Sequence, residues 1–147
     1  MKIHKQGSLI GFEAKDFDQD AIRIQSNGWC SVEYCSVNDT LASDKAHRDA
    51  IQLIPVDSRS RSQFAGAMMQ NVLIQNNTIY SSGKLQGIFS SDGCYSNLTI
   101  RNNKVSTNSQ WKISINGLLN GWIEGNTDFD NNPLQIDLWP TRIGGGG

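Results

Sequence analysis

The chain has 147 residues, 37% of them hydrophobic, and a formal net charge of −1. That length suits one domain with a real core, and the near-neutral charge gives no pull toward nucleic acid or an anionic membrane surface. Fourteen Asn, sixteen Ser and 14 Gly beside only 3 Pro describe a turn-rich all-β chain. Disorder is a poor fit, because the apolar residues come in spaced Ile, Leu and Val groups.

No apolar run of about 18–20 residues is present, so no membrane-spanning helix is expected. Met1-Lys2-Ile3-His4-Lys5 has no apolar stretch behind its charges, so no secretory signal is expected either. Cys30, Cys35 and Cys94 are odd in number and lack C-x-x-C spacing. They read as buried free thiols in a protein that folds in a reducing cytoplasm.

In chain order, the predicted elements come in pairs. Leu9 to Phe17 precedes the alternation Asp20-Ala-Ile-Arg-Ile24, and Trp29 to Val37 precedes Asp49-Ala-Ile-Gln-Leu53. Asn71-Val-Leu-Ile-Gln-Asn-Asn-Thr-Ile79 precedes Gln86-Gly-Ile-Phe-Ser90. Asn97-Leu-Thr-Ile-Arg-Asn-Asn-Lys-Val105 precedes Trp111-Lys-Ile-Ser-Ile115, and Asn120 to Asp128 precedes Leu134-Gln-Ile-Asp-Leu138. From Asn71 to Asn97 the step is 26 residues; from Asn97 to Asn120, and again from Trp111 to Leu134, it is 23. Two features that keep one period define a structural repeat.

Each short segment points alternate residues to opposite faces, so Ile74 and Ile79, or Ile100 and Val105, are expected inward. One such coil cannot bury its apolar side alone, whereas coils stacked about 4.8 Å apart build a continuous narrow core. Helical repeats would need long runs of 3.6 periodicity, which these β-branched, Asn-broken segments lack. Asn77, Asn103 and Asn126 hold one place in successive copies and predict a corner ladder. Asn tolerates the left-handed backbone of a sharp turn, and stacked amides can bond to one another. Cys35 takes that place upstream, as a small filler without hydrogen bonds.

A 23–26-residue repeat with Asn at a fixed corner resembles the pectate-lyase-like right-handed parallel β-helix superfamily, over about residues 8–140. The short coils, Asp49-Ala-Ile-Gln-Leu53, Leu85-Gln-Gly-Ile-Phe89 and the Gly-rich end resemble β-helical segments of bacteriophage tail fibres and tail spikes. The resemblance implies an all-β solenoid of about five coils, one domain over 1–143 followed by a flexible Gly-rich end at 144–147. It also implies a virion tail component folded in the host cytoplasm, without a cofactor. Its partners would be two further copies in a homotrimer, other virion tail proteins and bacterial surface polysaccharide.

The repeat breaks at Asn38–His47 and Pro55–Met68, which read as insertions. Such insertions often carry binding surfaces, and in the second Arg59, Arg61 and Phe64 are the candidate binding residues. Asp20 and Asp49 hold equivalent places in adjacent coils, so their carboxyls would lie about one strand spacing apart. Two carboxylates at about 5 Å suit retaining glycoside hydrolysis if one has a raised pKa. The Gly-His-Gly and Arg-x-Lys companions of polygalacturonase-type hydrolases are absent, so no catalytic residue is expected; a hydrolase or lyase is the alternative.

Asp16-Phe-Asp18-Gln-Asp20 imitates the start of a calcium loop, but Ala21 and Asn27 replace its required Gly and Glu. His4 and His47 have no companions at ligand spacing, so no metal site is expected. His47-Arg48-Asp49 reads as a surface triplet at the start of a strand. Trp29, Trp111, Trp122 and Trp139 are many for a small core, and one or two are expected to cap the stack or stand exposed for sugar stacking.

Overall fold

The computed structural model describes residues 1–3, 6–17, 19–25, 29–40, 48–55, 68–90 and 93–140. The first coil carries β1 (Lys2–Ile3), β2 (Gly7–Ile10) and β3 (Glu13–Lys15); the second carries β4 (Ile22–Ile24), β5 (Cys30–Glu33) and β6 (Ser36–Asp39). β7 (Asp49–Leu53), β8 (Met68–Gln75) and β9 (Thr78–Ser81) form the third coil. β10 (Gln86–Ser90), β11 (Cys94–Arg101) and β12 (Lys104–Ser106) form the fourth, and β13 (Ile113–Asn116), β14 (Gly121–Glu124) and β15 (Ile136–Trp139) complete the stack.

Each strand pairs in parallel with its counterpart one coil away, as a solenoid requires. The first sheet runs β1-β4-β7-β10-β13-β15, the second β2-β5-β8-β11-β14 and the third β3-β6-β9-β12. The expected parallel β-helix is the observed fold. Ile22, Ile51, Ile88, Ile113 and Ile136 stack in register inside the first sheet. Val32, Ile74, Ile100 and Ile123 do so in the second, and Val37, Ile79 and Val105 in the third. Away from the ends these side chains are buried, each worth about 1.5–3 kcal/mol. Toward the ends Ile3, Leu9, Ile123, Leu134 and Ile136 are only partly covered.

Cross-coil hydrogen bonds give the coil lengths directly: 23 residues from Ser8 to Ser31, 42 from Glu33 to Gln75, 26 from Gln75 to Arg101 and 23 from Asn103 to Asn126. The long second step, from Glu33 to Gln75, absorbs both sequence breaks without shifting the register. Asn38 and Asp39 belong to β6, so the first break opens only after them. The faint first copy also needs correction. Gly7 pairs with Cys30 and Leu9 with Val32, so that copy starts three residues before Leu9.

The corner between the second and third sheets is made by two adjacent columns rather than one. Gly11 (φ 69°), Tyr34 (φ 54°), Asn76 (φ 57°), Asn102 (φ 55°) and Gly125 (φ 67°) all take the left-handed conformation. They turn the chain, and the next residue in each coil points its side chain inward. The first Asn of each Asn-Asn pair therefore makes the bend, and the second makes the ladder.

Candidate functional site

Asn77, Asn103 and Asn126 join in a buried chain of hydrogen bonds. Nδ2 of Asn77 donates to Oδ1 of Asn103, and Nδ2 of Asn103 donates to Oδ1 of Asn126, each at 2.9 Å. The same amides donate backward to the carbonyls of Val32 at 3.0 Å, Ile74 at 3.1 Å and Ile100 at 3.0 Å. Cys35 is more than a filler. Its N–H donates to Asn77 Oδ1 at 2.9 Å, and its thiol lies 3.5 Å from the Leu9 carbonyl, one coil below the one that Asn77 uses. Burial pushes that thiol's pKa up. The column binds the stack together and offers nothing to a ligand.

Asp20 and Asp49 do occupy equivalent places, but neither can reach a substrate. Asp20 Oδ1 accepts the Asp49 N–H at 2.9 Å, and its Oδ2 holds the Arg23 guanidinium at 2.7 Å. Its side chain is 7% exposed. Asp49 is 2% exposed, and its Oδ1 has no hydrogen-bond partner. Burial first, then the Asp20 charge, pushes the Asp49 carboxyl up to about 8, with Arg23 opposing. A carboxyl with a raised pKa beside a second carboxyl has the signature of an acid–base pair. Here burial creates the shift and also excludes a sugar.

Arg48, expected at the surface, is buried. Its guanidinium meets Asp39 at 2.9 Å and the Phe17 carbonyl at 3.0 Å, and lies over the Phe17 ring. Ser81 Oγ donates to the same Asp39 oxygen at 2.7 Å. The pair closes the interior where the first break begins and ends. Asp16 accepts from the N–H and hydroxyl of Thr40 at 2.8 and 2.7 Å, and these bonds hold its carboxyl below the usual range. Among the described residues no group of three or more His, Cys, Asp or Glu could hold a metal. Arg59, Arg61, Phe64, His4, His47, Asp18 and the 144–147 end lie outside the described residues.

On the outer face of the first sheet the tryptophans are the part that sequence reading anticipated; the polar groups beside them are the part it missed. Alternation turns Arg23, Gln52, Phe89, Ser114 and Asp137 outward in one register column. Arg23 Nε donates to Gln52 at 3.1 Å. Phe89 meets Trp111 with ring centroids 6.2 Å apart. Trp139 folds back so that its indole N–H donates to Ser114 Oγ at 3.0 Å, next to Phe89. The result is a half-buried aromatic strip flanked by a guanidinium, an amide and a carboxylate. Trp122, 63% exposed, stands apart on the outer face of the second sheet, and Trp29 is also exposed. The signal was present in the outward positions of the aligned copies, where Trp and Phe recur next to polar residues.

No curated protein and no solved structure matches this chain. Residues 20–138, most of its length, match the family described as the right handed beta helix region. With three parallel sheets, an in-register Ile core and an Asn corner ladder, the chain belongs to the right-handed β-helix family.

Proposed function

We propose that this β-helix is a non-cleaving, glycan-contacting structural piece of a phage or prophage tail fibre or spike. One observation carries the reading: the accessible face of the first sheet offers aromatic rings, while both candidate catalytic carboxyls are turned away from solvent. Sugars present C–H faces that stack on Trp and Phe, and their hydroxyls bond to groups such as Arg23, Gln52 and Asp137. Cleavage needs an acid and a second carboxylate around a cleft, which the half-buried Asp20 and the buried Asp49 do not form.

The test is to incubate the purified chain with bacterial capsular polysaccharides. Neither new reducing ends nor unsaturated uronate absorbance is expected. Titration with oligosaccharides from a bound polymer should quench tryptophan fluorescence, and Trp139→Ala should weaken binding about tenfold, the worth of one aromatic contact. Turnover abolished in Asp20→Asn and Asp49→Asn would replace this reading with that of a hydrolase or lyase.

A further inference from the structure

Asp49 opens β7 as a buried carboxyl with an unpartnered oxygen, a position in which a charge is heavily penalised. Asp20 adds repulsion from one coil below, because its own oxygens are committed to the Asp49 N–H and to Arg23. From the β4 side Asp49 therefore meets Asp20 and Arg23. On the β10 side its register partner is the uncharged Gln86. On its own strand the neighbour is Arg48, already held by Asp39 and the Phe17 carbonyl. Among the described residues no cation forms an ion pair with Asp49.

We propose that the buried, neutral Asp49 carboxyl is a pH-sensitive joint between the second and third coils: the β4–β7 seam loosens as pH rises, because opening lets this carboxyl ionise, while coils farther along stay paired. In a solenoid, stability is a sum over neighbouring coils, so one seam can open while others hold. The direction follows from the proton. Folded Asp49 keeps it up to about pH 8, whereas the ordinary value is 3.8. The stability that the neutral form gives is complete below 3.8, drains as pH rises, and is gone above about 8.

Amide exchange on the full chain, expressed as protection factors so that intrinsic pH dependence divides out, reads the seam directly. Protection at the N–H groups of Ala21, Asp49 and Ile54, which donate across the seam to the Asp49 carbonyl, Asp20 Oδ1 and the Ile24 carbonyl, should fall up to about tenfold per pH unit, one proton per opening, and level off near pH 8. Protection at Leu98–Arg101 and Gly121–Glu124 should hold. Asp49→Asn, similar in shape and unable to ionise, should hold the seam at every pH. Asp20→Asn keeps an oxygen for the Asp49 N–H but removes the repelling charge, so levelling should move to lower pH. Constant protection at the seam, an equal fall along the whole stack, or a fall that persists in Asp49→Asn would each overturn the proposal.

Discussion

At the scale of single residues the corner between the second and third sheets divides its labour between neighbours. The left-handed residue pays a backbone cost that Gly11 and Gly125 avoid and that Asn76 and Asn102 soften. Tyr34 has neither advantage. It holds φ 54° with its ring mostly in solvent, so the strain is not offset by burial. Tyr34→Gly should therefore stabilise the protein by about 0.5–1 kcal/mol, the left-handed penalty less the added freedom of the unfolded chain. Urea denaturation checks this; a lower midpoint would show that the Tyr34 ring packs usefully. The inward neighbour obeys a different rule. Asn103 is buried and accepts from both the backbone and the side chain of Asn77, so an apolar residue there strands those two donors and removes a donor from Asn126 Oδ1 and the Ile74 carbonyl.

At the scale of elements the inward columns decide everything. Ile100 is fully buried between Ile74 and Ile123 on the next-to-last strand of the second sheet. Ile100→Asp places an unpaired charge there at a cost of several kcal/mol. Loss of cooperative thermal unfolding, followed by circular dichroism, is the expected result, and a folded, cooperative variant would disprove this register. These columns were legible in the sequence because β-branched residues alternate with polar ones within each copy, at a step of 23 to 26 residues wherever no break intervenes. The spacing of Ile22, Ile51, Ile88, Ile113 and Ile136 could be read without coordinates. The first copy was misplaced because Leu9-Ile-Gly-Phe12 carries apolar residues at odd and even places alike, so alternation alone does not choose the face. The candidate site was less legible. Asp20 and Asp49 were paired correctly, but sequence does not report that both are withdrawn from solvent. Arg48 meets Asp39 across a break in the repeat, and Trp139 reaches Ser114 from the next coil, contacts that no local pattern encodes.

For the molecule as a whole, the stack ends in partly covered apolar residues at both extremities, and its last coil exposes Leu119, Trp122, Phe129, Leu138 and Trp139. Exposed apolar area of this kind favours association, and closure of identical subunits is the usual outcome. The proposed fibre role predicts a homotrimer, so light scattering across a range of concentrations should give three times 16.2 kDa. A mass fixed at one chain would count against it.

The unequal coils have a mechanical consequence. Hydrogen bonds between coils run along the axis of the stack, so an axial pull loads them in the direction in which they break, one turn at a time. Each turn released adds its own contour to the tether, about 80 Å for the 23-residue coils and about 145 Å for the 42-residue one at roughly 3.5 Å per residue. The turn from Glu33 to Gln75 is thus a reserve of slack in the body of the rod. A sudden load that unpeels it lengthens the molecule almost twice as far as the loss of a short coil, while the paired turns on either side keep their grip.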